Sequence, residues 1–132
     1  MKNYKVLFLA LVLITGGLLI SNYYARNSGL NKNNLPKYAQ KNSEIKIAYE
    51  YALKNLELLR YIPCYCGCYR IGHKNVGDCF IKEFKKDGTV IFEEHGANCG
   101  LCYSTVLESK RLFEEGKSPQ EVRDYIDNKY SS

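Results

Sequence analysis

The chain has 132 residues and a formal charge of +5 from 19 Lys and Arg against 14 Asp and Glu. Three of the bases, Lys2, Lys5 and Arg26, flank an N-terminal apolar stretch, and without them 16 basic residues face 14 acidic ones. That near balance, with no basic stripe interleaved with aromatics, speaks against a nucleic-acid partner, and a hydrophobic fraction of 45% speaks against a disordered chain. The length leaves room for one domain of about 100 residues, and a core that small benefits from a staple.

Residues 1–26 read as a membrane anchor or signal segment. Lys2 and Lys5 precede the uncharged run Val6 to Ile20, which is followed by Tyr23 and Tyr24. A helix from Tyr4 to Ala25 would be about 33 Å long at ~1.5 Å per residue, enough to cross a bilayer with the tyrosines at the far interface. The flanking lysines hold the N-terminus in the cytoplasm, so the expectation is a single-pass protein of the cell membrane with its domain on the extracytoplasmic side. A cleaved signal peptide, with Thr15 and Gly17 as small residues at the cleavage site and a secreted domain as product, is the alternative.

Residues 27–42 are rich in Asn, Lys, Gly and Ser, contain Pro36, and read as a linker. Residues 43–132 read as a Cys-rich domain. Ser43 is placed to cap a helix whose apolar residues Ile45, Ala48, Tyr49, Ala52, Leu53, Leu56 and Leu59 follow a three-four spacing and stop before Pro63. After a glycine-marked loop, Cys79 to Phe84 and Thr89 to Glu94 flank Asp87-Gly88 and predict a hairpin, with Cys79 in its first strand and His95 at the end of its second. A helix from Gly100 to Glu115 ends at Gly116. Ser118-Pro119-Gln120-Glu121 is a capping box that starts a last helix burying Val122, Tyr125 and Ile126. The fold class expected is α+β and mainly helical: an N-terminal membrane-anchor helix, then about three helices around a short β-hairpin.

All six cysteines and both histidines fall between positions 64 and 102, in the pattern C-x-C-x-C-x4-H-x5-C followed by H-x3-C-x2-C. Cys64, Cys66 and Cys68 alternate, and a two-residue period points their thiols the same way. Such clustering reads as a metal or redox site. The candidate ligands are Cys64, Cys66, Cys68, Cys79, Cys99 and Cys102, with His73 and His95 as terminal or supporting groups.

Four chemistries compete for these residues. Cu(I) suits the spacing best, because closely spaced soft thiolates bridge copper ions into clusters. Zinc is possible, although its ligands usually come as pairs two or more residues apart, as in Cys99-x-x-Cys102. Cys99 and Cys102 at a helix start also suit a thiol-disulfide oxidoreductase. A framework of three disulfides would have to pair Cys64, Cys66 and Cys68 with Cys79, Cys99 and Cys102, since a bridge between cysteines two apart closes a tight ring. No acid-base pair, nucleophile with partner or phosphate loop is present, so a binding or delivery protein, passing metal to a receiving protein, is preferred over an enzyme.

The run Pro63-Cys64-Tyr65-Cys66-Gly67-Cys68, with Gly72-His73, Asp78-Cys79-Phe80, His95 and Cys99-x-x-Cys102, resembles the PCYCGC-motif proteins of bacteria and archaea over about Leu53 to Tyr130. The resemblance implies an exported, often lipid-anchored protein and supplies neither fold nor metal. Position 17 is glycine where a lipid-bearing cysteine would stand, so the anchor is the helix itself or is absent. The stretch Glu115 to Ile126 is also similar to the helical hairpin that follows a C-x-x-C in cytochrome c maturation thiol reductases.

Overall fold

In the computed structural model, which describes residues 35–131, the chain is mainly helical with one two-stranded antiparallel sheet. The anchor expected over residues 1–26 lies outside the described residues, as does the first half of the expected linker. Among the described residues no helix is long and apolar enough to cross a membrane. The packed body reaches back into the stretch whose composition reads as linker. Pro36 leads a 3-10 helix, Lys37–Gln40, and Leu35 and Ala39 join the core.

Helix α1, Ser43–Lys54, is capped by Asn42 rather than Ser43: the Asn42 carboxamide oxygen accepts from the Ile45 N–H at 2.8 Å. The apolar run breaks at Asn55, whose φ of −128° leaves the helical region, and a separate helix α2, Leu56–Tyr61, carries the chain on. Asn55 returns its own amide and side-chain N–H groups to the Tyr51 carbonyl, which satisfies the end of α1.

The hairpin forms where expected but is shorter, with β1, Ile81–Phe84, paired to β2, Val90–Phe92, through a bulge between Ile81 and Glu83. Asp87 shapes its turn by accepting from the Thr89 N–H. Cys79 does not lie in the first strand. It ends a 3-10 helix, Val76–Cys79, because Asn75 and Asp78 form a capping box that turns the chain there. His95 opens a short helix α3, His95–Asn98, instead of closing the second strand.

Helix α4, Gly100–Glu114, ends at Gly116 with φ +86°. Helix α5, Pro119–Tyr130, has the expected capping box of Ser118 and Glu121. It buries Val122 and Ile126, but Tyr125 remains 39% exposed, because i and i+4 alone define the narrow face that α4 covers.

Helix α4 is the centre of the packing, lying against α1 and α5, while α2 covers the 3-10 helix Val76–Cys79. The face of α4 that points inward carries Cys102, Thr105, Val106, Ser109 and Leu112. Its two buried hydroxyls bond carbonyls one turn back, Thr105 to Leu101 at 2.8 Å and Ser109 to Thr105 at 2.7 Å, so neither is left unsatisfied. Tyr49, fully buried on α1, joins the helical layer to the hairpin: its ring meets Phe80 at 4.8 Å and Phe92 at 6.0 Å between centroids. Its hydroxyl donates to the Glu93 carbonyl at 2.5 Å, and burial raises its pKa far above that of a free phenol. Tyr49→Phe removes this donor and is expected to lower unfolding free energy by about 1–3 kcal/mol with the fold unchanged, measured by urea unfolding against the native circular dichroism spectrum.

Candidate metal centre

The cysteine triplet sits on a loop closed at its base. Pro63 and Asn75 form an isolated antiparallel bridge, and the Val76 N–H donates to the Ile62 carbonyl at 2.9 Å. Within the loop, Gly67 takes φ +77°, a left-handed turn that side chains rarely adopt, and sends the chain into a 3-10 helix, Cys68–Ile71. The Asp78 carboxylate then gathers the far arm, accepting from the Lys74 N–H at 2.9 Å and the Asn75 side chain at 2.9 Å. Cys79 therefore arrives at the triplet on a fixed turn.

Tyr65 points away from its flanking cysteines, as an alternating stretch requires. Its hydroxyl donates to Asp127 Oδ1 of α5 at 2.6 Å. Desolvation, with that carboxylate, pushes the phenol up to about 12. Arg123 holds Asp127 at 3.3 Å and donates to the Tyr61 carbonyl at 3.0 Å, so α5 braces both ends of the segment from Tyr61 to Tyr65 that enters the motif.

His95, Cys99 and Cys102 come from the α3–α4 corner. Gly96 lets that corner close: a Cβ there would lie 2.7 Å from Phe80 Cε1 and 2.8 Å from the Cys79 carbonyl oxygen. The backbone of α3 thus rests directly on the residues that carry Cys79. Cys99 is the N-cap of α4 and half-buried, and Cys102, on the inward face, is buried.

These segments bring the sulfurs of Cys64, Cys66, Cys68, Cys79 and Cys102 within 4.8 Å of one another. The donor atoms of Cys66, His95, Cys99 and Cys102 form a second such group. The Cys79 sulfur lies 3.5 Å from both Cys64 and Cys102. His95 Nε2 lies 2.8 Å from the Cys68 sulfur and 3.6 Å from that of Cys66. All six cysteines and His95 are therefore placed where one centre can use them. His73 is not in either group: it is buried, its Nδ1 is 3.4 Å from the Cys79 sulfur, and its ring meets His95 edge-on at 5.5 Å.

Among the buried thiols the proton is unevenly shared. Hydrogen bonds from Cys102 and then Cys79 hold Cys64 well below the ordinary thiol range. Cys102 is raised by its bonds to Cys64 and Cys79 and by burial. At Cys79 the bond from Cys102 lowers the pKa, but the bond to Cys64 together with burial outweighs it, and the net shift is upward. The lowered Cys64 thiol, half-buried beside Cys79 and Cys102, is therefore the one most readily ionised of the three.

The alternative of three disulfides is not what the structure holds. Three distant bridges do not form: Cys66 and Cys68 are joined to each other, and Cys64, Cys79, Cys99 and Cys102 are free. The turn at Gly67 is the reason, since it brings the two Cα atoms to 5.5 Å, an ordinary separation for bridged cysteines. Cys99 and Cys102, the expected redox pair, are not bonded to each other.

The residues that position the site were less visible than those that line it. Asn75-x-x-Asp78 is readable as a capping pattern. Nothing local marks Gly96 as a close approach or pairs Tyr65 with Asp127, because both contacts join segments distant in sequence.

A protein-family model described as "Protein of unknown function with PCYCGC motif" matches residues 24–132. No curated protein and no solved structure matches the chain.

Two outcomes test this geometry. Denatured without reductant, the chain should take up four equivalents of a thiol-alkylating reagent, and six after reduction, as counted by intact mass. Gly96→Ala should destabilise the domain by about 1–3 kcal/mol, because the Cys79 carbonyl is backbone and cannot swing aside; a thermal melt reads the loss.

Proposed function

The chain belongs to the PCYCGC-motif family, and we propose that its domain binds soft metal ions, Cu(I) foremost, on the extracytoplasmic side of a membrane and passes them to a receiving protein. The observation that carries this reading is the convergence of five cysteine sulfurs within 4.8 Å, with His95 and Cys99 at their edge. A structural zinc site is satisfied by about four ligands, and this centre offers more sulfur than that. Thiolate-rich surroundings suit soft ions, Cu(I) and zinc among them, over the harder first-row ions. Half-buried Cys64, Cys66, Cys99 and His95 leave the centre open at one side, which suits exchange rather than permanent storage.

Loading that uses the Cys66 sulfur requires the Cys66–Cys68 bridge to be opened. A dithiol reductant does this by giving up two electrons and two protons and becoming a disulfide itself, which leaves Cys66 and Cys68 as thiols. Each thiol then releases its proton as it binds metal. Export and anchoring rest on Lys2, Lys5 and the apolar run Val6 to Ile20.

Thiol-disulfide exchange is a second reading, favoured by one distance: the Cys64 sulfur lies 3.0 Å from the Cys66 sulfur of the bridge. It places the exchanging group in the triplet rather than at Cys99 and Cys102. The two readings separate in one experiment on the full chain in detergent, reduced, without oxygen, and titrated with Cu(I) as its acetonitrile complex. Metal binding predicts discrete copper-loaded masses with sub-micromolar affinity and the liganding thiols protected from alkylation. No uptake, together with turnover of a disulfide-bearing peptide that Cys64→Ser abolishes, would replace it with exchange.

A further inference from the structure

The two donor groups overlap without coinciding. Cys64, Cys68 and Cys79 belong to the first alone, His95 and Cys99 to the second alone, and Cys66 and Cys102 to both. Resting on the metal-binding reading, we propose that the reduced centre holds two soft d10 ions that share the sulfurs of Cys66 and Cys102. An inner ion is completed by Cys64 and Cys79, and a rim ion by His95 and Cys99.

Three observations lead to this arrangement. The rim group alone supplies four donors, a full set for one tetrahedral ion and more than Cu(I) requires. Filling that position leaves Cys64, Cys68 and Cys79 grouped around a second point with no cation, while filling only the inner position strands His95 and Cys99. Charge gives the second argument. Each thiol that binds metal becomes a thiolate and adds negative charge in a mostly buried place, and a second cation on two of the same sulfurs offsets it. A thiolate has lone pairs enough to bridge two metals, and the shared sulfurs are the two that lie in reach of both sets.

The third observation is the difference in exposure. Of the donors that serve one ion alone, Cys79 of the inner pair is 0% exposed and Cys64 half-buried, whereas His95 and Cys99 of the rim pair are both half-buried. The inner ion is thus the better screened by protein and the rim ion the nearer to solvent, so the two exchange at different rates. Cys68 sits between them: its sulfur belongs to the inner group yet lies 2.8 Å from His95 Nε2. It is the donor that an ion moving from rim to interior would meet. The centre is thus a two-position path, with entry at the α3–α4 corner and retention against Cys79.

The test uses the full chain in detergent, reduced, without oxygen, and loaded with Cu(I) alone. Native mass spectrometry should show saturation at two ions, and X-ray absorption should show a metal–metal vector. A competing chelator should remove copper in two phases of equal amplitude. In Cys99→Ser the stoichiometry should fall to one, with loss of the metal–metal vector and of the fast phase. Serine is a good N-cap and the Cys99 side chain makes no capping bond, so this variant keeps the helix start; circular dichroism checks that it does. His95→Ala should behave in the same way. Saturation of the native chain at one ion, or at more than two, overturns the proposal while leaving metal binding intact. So does a folded Cys99→Ser that still holds two ions or holds none. A native chain that takes up no copper fails at the earlier step, and the two failures are told apart by that first titration.

Discussion

The constraint on which the domain depends is the burial of the Cys79 sulfur among other sulfurs. Cys79 is fully buried, and its thiol meets Cys64, Cys102 and His73. Each neighbour arrives on a different segment: Cys64 behind α2, Cys102 on α4, His73 on the glycine-bounded loop. Packing those segments against one another is therefore the same act as assembling the centre. Cys79 and Cys102 also belong to the main apolar core, with Cys64, Cys66 and Cys99 packed at its edge. No insulating layer separates site from core, and any cation that bridges these sulfurs ties the ends of three segments together and adds its binding energy to folding.

The supports of the site explain why it needs so much of a small chain. Tyr65 would leave the motif free on one side were it not held by Asp127 of α5. The α3 backbone must approach Cys79 and Phe80 more closely than any side chain allows, and Gly96 supplies that approach. The Asn75–Asp78 box fixes the turn that delivers Cys79. The Tyr65 and Gly96 contacts join residues 62 and about 16 positions apart, so the triplet cannot be organised by its own short stretch of sequence.

Helix starts and stops were legible because capping chemistry is local. The Ser118 box and the stop at Gly116 stand where their residues put them. Where the reading slipped, a neighbouring residue did the same chemistry better. Asn42 caps in place of Ser43, and Asn55 interrupts an apolar periodicity that looks continuous. Tyr125 shares the helical spacing of Val122 and Ile126 but sits at the edge of the contact with α4, where Lys129 lies 5.9 Å from its ring. In the hairpin, Asp87-Gly88 correctly marked the turn, yet the Asn75–Asp78 box held Cys79 out of the strand. The cysteine clustering between positions 64 and 102 marked the segments that come together as a cluster able to hold a metal. It could not say which sulfurs would be shared or that His73 would stand outside both groups, because those depend on how three segments meet.

The Cys66–Cys68 bridge bears on both chemistries at one atom. Cys66 is common to the two donor groups and is also half of the bridge. A sulfur in a disulfide carries no thiolate lone pair for a metal, so closing the bridge withdraws a donor from both groups at once, and a bound ion in turn occupies the sulfur that oxidation needs. The Gly67 turn makes the two states neighbours, because the geometry that lets Cys66 and Cys68 face one cation also sets them at bridging distance. Thiolate clustering and disulfide formation are in this sense competing outcomes of the same alternation of cysteines. Which one prevails follows from the supply of reductant and cation around the domain rather than from any rearrangement of its fold.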